Sequence, residues 1–192
     1  DFLGKRVTTD DGKIALAPAA LVAQAAARLE PTFARERANR ESGQLKLITR
    51  RAVHTHNSWT HNLPEMIADD RDTNYLYMHP DDAAARELRD GDFADVTTDV
   101  ATVRVGVRLL DDLMPGVVAL PHGWGHQHAP GLSVASQTRG VNVNLLAADG
   151  AARLERVSGM AHLTGFPVTV TRAAGPADPR SWSGITPASG PP

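Results

Sequence analysis

The chain has 192 residues with 20 Lys+Arg against 22 Asp+Glu, a formal net charge of −2, and no cysteine. That balance excludes a globally basic nucleic-acid binder, and the missing cysteine excludes disulfides, thiolate nucleophiles, iron–sulfur ligation and cysteine–zinc sites on these residues. The length suits one sizeable core rather than two, while the apolar run at residues 15–22, with Pro18 inside, is far short of the ~20 residues of a membrane span, and no basic–apolar–small signal-peptide pattern is expected at the start. A soluble, cytoplasmic protein is the expectation.

Taken in chain order, residues 13–17 read as a short lead-in strand. Pro18 suits a first helical position, and Leu21, Val22, Ala25 and Leu29 recur at helical spacing until Pro31 stops the pattern. The charged stretch 30–43 reads as a connector. Between Arg28 and Arg51 there are seven basic and three acidic residues, whereas between Glu65 and Asp99 there are three basic and eleven acidic, an asymmetry that can steer an anion to one face.

Alternating Leu45, Leu47 and Thr49 predict a strand that runs into a loop, 51–63, crowded with His and Asn. Residues 75–78 predict a short strand, Pro80 opens a helix with Asp81 and Asp82 in its first turn, and Asp90-Gly91-Asp92 is a turn. Strands follow at 93–98 and 103–109, the second with strict period-two alternation, then a buried-type strand at 117–120 and a long Gly-rich loop, 121–140. Residues 166–171 predict the closing strand, and 175–192, with five prolines and no periodicity, read as a disordered tail. The expected organisation is a lead-in strand, helix and connector at 1–43, a main domain at 44–173 and the tail at 174–192. A mainly β (α+β) fold, a small β-barrel with short inserted helices, fits this order, and a doubly wound nucleotide fold does not, because no G-x-G-x-x-G or G-x-x-x-x-G-K is present.

Six of the eight histidines fall in two clusters, residues 53–62 (VHTHNSWTHN) and 120–128 (LPHGWGHQH), neither of which contains Asp or Glu. One reading joins His54 and His56 to His122, His126 or His128 as a zinc site that hydrolyses its substrate with a metal-bound water. A second reading is recognition of a polar, phosphate-bearing ligand. Asn57, Asn62, Asn142 and Asn144 offer amide forks, Ser58, Thr60 and the histidines add short-reach partners, and Arg50 and Arg51 can grip phosphate. Gly123 and Gly125 permit close backbone approach, and Trp59 or Trp124 could cover a flat heterocycle. A third reading is a non-catalytic barrel that docks a partner. The carboxylate pairs Asp69/Asp70, Asp81/Asp82 and Asp111/Asp112 lie in turns or helix starts, where capping and solvation account for them.

The motifs LITRR (47–51), NSWTHNLP (57–64), HPDDA (79–83), DGD (90–92), PGVVALPHGWGH (115–126) and GVNVNLL (140–146) occur in that order, preceded by DGKI (11–14). Together they closely resemble the C-terminal dinucleotide-binding domain of the molybdopterin oxidoreductases, the dimethyl sulfoxide reductase and formate dehydrogenase superfamily, over about residues 11–171. The resemblance implies a six-stranded double-psi β-barrel that holds part of a molybdopterin guanine dinucleotide carrying Mo or W. Transferred residue by residue, it makes Arg51, Asn57, Ser58, His61, Asn62, His122, Trp124, His126, Asn142 and Asn144 candidate cofactor contacts, with no catalytic residue and no direct metal ligand among them. Members of that superfamily are several times longer, with the metal's protein ligand, and often an iron–sulfur cluster, in other domains. The chain is therefore expected to be an excised C-terminal domain of a larger oxidoreductase similar to formate dehydrogenase or nitrate reductase, inactive alone, whose partners are the remaining domains and an electron-transfer subunit.

Overall fold

The computed structural model describes residues 3–155, 158–175 and 185–187. By their internal contacts the residues fall into two compact units, Asp1–Ala38 and Asn39–Pro192.

In the first unit, helix α1 spans Leu3–Arg6 and helix α2 begins at Ala19. Residues 13–17 form no strand, contrary to expectation: only a short alternating run supports one there, and it has no neighbour with which to pair. Nor does Pro31 end the helix, for α2 runs to Glu41 with Pro31 inside. The Ala-, Arg- and Glu-rich sequence on both sides of Pro31 is among the best helix-forming composition, and Arg37 reaches back to Glu30 at 2.8 Å. The stretch read as a connector is thus largely helical. The helix stops where the Gly43 N–H bonds Arg40 O and the Gln44 N–H bonds Asn39 O, both at 3.1 Å, with Gly43 at φ 79. This left-handed glycine closure satisfies the last carbonyls.

In the second unit, six strands close into a barrel: β1 (Leu45–Arg50), β2 (Tyr75–Met78), β3 (Phe93–Thr97), β4 (Ala101–Leu109), β5 (Val117–Pro121) and β6 (Phe166–Ala173). Around the ring the order is β2-β5-β1-β6-β3-β4, and β4 pairs back onto β2. Exchanging each strand with the one three places along the chain maps every pairing onto another of the same sense. The parallel pair β1–β5 maps onto the parallel pair β4–β2, and the antiparallel pair β1–β6 onto β4–β3, while β2–β5 and β3–β6 map onto themselves. Two interleaved three-strand halves of this kind make a double-psi β-barrel.

Period-two patterning decides which side chains fill it. Leu47, Leu76, Met78, Val96, Val103, Val107 and Val168 point inward and are fully buried, whereas their strand neighbours are half-buried or exposed; in β5, Val118 to Pro121 are all buried. Gly106 of β4 leaves room for the Tyr75 ring, which would lie 3.1 Å from an added Cβ. Short helices sit between strands, α3 (Pro64–Ile67) and α4 (Pro80–Ala84), the latter capped by His79 Nδ1, which accepts from the Asp81 N–H at 3.1 Å. A short strand β7 (Ile185–Pro187) pairs antiparallel with the start of β4. This corrects the expectation of disorder for those three residues, where edge pairing supplies the order that composition does not; the rest of the expected tail beyond residue 175 lies outside the described residues.

Candidate functional site

Because β1 and β5 are parallel neighbours with Arg50 opposite Pro121, the two segments that follow them leave the barrel at the same end. The His122 N–H continues the ladder onto Arg50 O at 3.1 Å. The His/Asn loop and the Gly-rich loop, more than 60 residues apart in sequence, are thereby brought side by side. The corresponding parallel pair β2–β4 ends at Met78 and Leu109, and there carboxylates close the turns: Asp82 accepts from the Gly116 N–H at 2.6 Å and Asp90 from the Leu109 N–H at 2.8 Å. At the first end the two segments that meet, residues 51–63 and 122–144, contain no Asp or Glu.

Glycines let the segments of this end pack closely, Gly123 against the backbone of the His/Asn loop and Gly125 against Asn142. At Gly123 (φ 92) a Cβ would lie 1.7 Å from Asn57 O, and at Gly125 (φ 97) it would lie 2.6 Å from the Asn142 Cβ. Both positions need a conformation that L side chains rarely adopt. The Cβ side of each is taken by protein: Gly123 closes on the His/Asn loop, and Gly125 packs on Asn142 within its own connection. His56 and Asn57 bend the first loop through consecutive left-handed conformations, φ 43 and 64. Asn57 Oδ1 lies 3.1 Å from His122 Nε2, so that the imidazole donates across the junction from that nitrogen.

Behind this junction His61 is 1% exposed. Its ring stacks against Trp124 at 4.2 Å between centroids with planes 39° apart, and the His126 ring meets its edge at 5.2 Å and 71°. Neither His61 ring nitrogen, nor Trp124 Nε1, has a protein hydrogen-bond partner. Burial, reinforced by His126 and then His54, pushes the His61 imidazole down to about 4. It is a neutral side chain near pH 7. His126 Nε2 donates to Gly123 O at 2.8 Å and so pins the loop from within.

The other candidate residues divide between exposed and tying positions. Arg51, Asn57 and Asn144 are exposed, and Ser58, Asn62, His122, His126 and Asn142 are half-buried. Asn62 Oδ1 accepts from the N–H groups of Val134 and Ala135 at 2.9 and 3.1 Å, which ties the two loops together. Asn142 Oδ1 accepts from the Asn144 N–H at 3.0 Å and caps the short helix Val143–Leu146. Arg50 lies with its guanidinium 4.6 Å from the Tyr77 ring, on the barrel's outer wall. Trp59 is 83% exposed, whereas Trp124 is buried against Gly140, where a Cβ would come within 2.4 Å of the indole. The ligand set of the zinc reading is not assembled: among the described residues no three His, Asp or Glu side chains are gathered as a metal site.

Sequence reasoning missed Asn74 and Gln127. Asn74, 2% exposed, spans from the root of β2 to Pro121 and Val141, and Gln127 Nε2 donates to Thr138 O and Gly140 O at 3.0 and 2.6 Å. A signal was present for Asn74. It continues the inward phase of Leu76 and Met78, where a polar side chain has to find buried partners.

A family model described as "Molydopterin dinucleotide binding domain" matches residues 45–164, which takes in every loop of this barrel end. The chain belongs to this family. The molydopterin-binding domain is also 36% identical over 72 residues to the dimethyl sulfoxide/trimethylamine N-oxide reductase of Rhodobacter capsulatus, a match that covers 38% of this chain and 9% of that protein. In structure it is similar to acetylene hydratase from Pelobacter acetylenicus, with a TM-score of 0.57 and 19% identity over 69% of this chain and 19% of that one, which shows a shared fold. The chain thus spans less than a fifth of the length of both. Among the described residues no helix is long and apolar enough to cross a membrane.

The residues present fit a molybdopterin-type dinucleotide. Such a group is flat and polar at one end and anionic at its diphosphate, so it needs donors and acceptors and no opposing carboxylates. The junction offers Asn, Ser and His side chains with Arg51 beside them, and behind it lie buried nitrogens of His61 and Trp124 that lack protein partners.

Proposed function

We propose that this domain holds part of a molybdopterin guanine dinucleotide, carrying Mo or W, as the C-terminal barrel of a larger oxidoreductase. The observation that carries the reading is the convergence, at one barrel end, of two carboxylate-free loop segments, 51–63 and 122–144, joined at His122–Asn57 and Gly123–Asn57. When bound, the cofactor supplies the metal and its redox chemistry. The chain supplies binding, orientation and exclusion of water.

In this reading Asn57, Ser58, His122, Asn142 and Asn144 hydrogen-bond the ligand, and Arg51 pairs with its diphosphate. His61, Asn62, Trp124 and His126 support that surface from behind. The neutral His61 can donate from one nitrogen and accept at the other, so its contribution does not depend on a proton being gained or lost near pH 7. Substrate, electron-transfer partner and the protein ligand to the metal belong to the rest of the parent protein, of which the domain alone is expected to show no turnover.

The test is to capture the protein at its native length with an antibody against this domain. Its mass, its molybdenum and tungsten content and the guanine nucleotide released by acid hydrolysis are then measured. A mass several-fold above 20.5 kDa with both metal and guanine nucleotide present is expected. A protein that carries neither overturns the proposal.

A further inference from the structure

Three backbone hydrogen bonds converge on one buried side chain beneath the site. Asn74 Nδ2 donates to Pro121 O at 2.8 Å and to Val141 O at 2.9 Å, and Asn74 Oδ1 accepts from the Val141 N–H at 2.9 Å. With Val141 the carboxamide exchanges two hydrogen bonds as a neighbouring strand would, although no strand runs there. Pro121 is the last residue of β5 and the root of the 122–127 loop, and Val141 immediately precedes Asn142.

A second link lies two residues earlier. The Arg139 N–H donates to Asp72 O at 2.8 Å, and its guanidinium grips the Asp72 carboxylate through two bonds of 2.7 and 2.6 Å. That grip holds the Asp72 carboxyl below its ordinary range. Together with Gln127 on Thr138 O and Gly140 O, these contacts engage the Arg139 N–H and both polar backbone groups of Val141, in a segment with no sheet of its own.

We propose that Asn74, backed by the Asp72–Arg139 pair, is the positioning residue that keeps the 122–127 loop and the Asn142 segment in register for the dinucleotide. The inference rests on the function proposed above. The chemistry at position 74 is narrow. Asp would lose both donors and set a carboxylate against two carbonyls, Leu would orphan three backbone groups, and Gln would overreach by a methylene. Asn74 is well below the ligand surface, so it acts through Val141 and Asn142 rather than by contact.

The experiment uses the native-length protein loaded with its dinucleotide and compares wild type, Asn74→Ala, Asn142→Ala and the double variant. Dinucleotide release is timed well below the unfolding temperature, and amide hydrogen exchange is followed over residues 122–145 and over β6. The expected result is release roughly tenfold faster in Asn74→Ala, with faster exchange confined to 122–145, and less than about twofold further acceleration when Asn74→Ala is added to Asn142→Ala. Unchanged release in Asn74→Ala, or effects of the two substitutions that multiply independently, overturns the inference while leaving the proposed function standing. A wild-type protein that holds no dinucleotide overturns both. Should Asn74→Ala fail to fold, Asp72→Asn is measured in its place: release several-fold faster with the same local exchange supports the proposal, and wild-type behaviour overturns it.

Discussion

His61 and Trp124 stack face to tilted face at 4.2 Å between centroids, and none of the three ring nitrogens of the pair meets a protein partner. A buried imidazole in that position is held neutral. Its folded value of about 4 lies below the unfolded value of 6.5, so between those limits the unfolded chain binds more protons. Stability is therefore full above about pH 6.5 and falls as the pH drops toward 4, by on the order of 3 kcal/mol from this group. Urea midpoints measured from pH 7 to pH 4 check this. His61→Leu removes most of the slope in that window, and a slope that persists in the variant assigns the acid sensitivity elsewhere.

The Gly123–Asn57 contact makes a sharp steric prediction. In Gly123→Ala the new Cβ meets a backbone oxygen at 1.7 Å and the residue must also keep φ 92, so loop or partner has to shift. A loss of roughly 2–5 kcal/mol is expected from overpacking and backbone strain combined. Gly131→Ala, where a Cβ meets nothing within 4 Å, is the control and stays within about 0.5 kcal/mol of wild type. Equal denaturant midpoints for the two variants would mean that the loops do not touch as described.

Asn57 combines a left-handed backbone with a side chain that meets His122 and, in the proposed function, the ligand. Asn57→Gly keeps the first and removes the second. Stability then changes by less than about 1 kcal/mol, because glycine adopts that conformation freely. Dinucleotide content per chain falls, with affinity lowered roughly fivefold for about 1 kcal/mol of lost hydrogen bonding. Full retention in Asn57→Gly would remove Asn57 from the contact set.

Asn62 separates tying from binding. Its Oδ1 serves two backbone N–H groups, so Asn62→Ala leaves both short of an acceptor and costs about 1–3 kcal/mol, whereas Asn62→Asp keeps the acceptor and recovers most of that loss. Thermal unfolding of the two variants decides it. If Asp is no better than Ala, the oxygen is not what holds Val134 and Ala135.

The barrel strands were legible along the chain because each is a local pattern bounded by turn residues, period-two in most and a continuous apolar run in β5, and in the alternating strands a side chain's facing follows from its own position. Leu45, Leu47, Val103, Val105, Val107 and Val168 face inward as that alternation requires. The candidate site was legible as composition, since His- and Asn-rich loops without carboxylates point to a polar, anionic ligand.

Helix α2 passing through Pro31, and residues 13–17 without a strand, were not legible. Local propensity carries no information about whether a pairing partner exists or about how a long helix-forming stretch tolerates one proline. The roles of Gly123, Gly125, Asn62 and Asn74 likewise came only with folding. Gly123, Asn62 and Asn74 are each defined by a group more than 60 residues away in sequence, brought alongside because β1 and β5 run parallel and open at the same end, whereas Gly125 is defined by Asn142 across the fold of its own loop. A residue's chemistry is written in its type, but which backbone atom lies 3 Å from it is a property of the closed barrel.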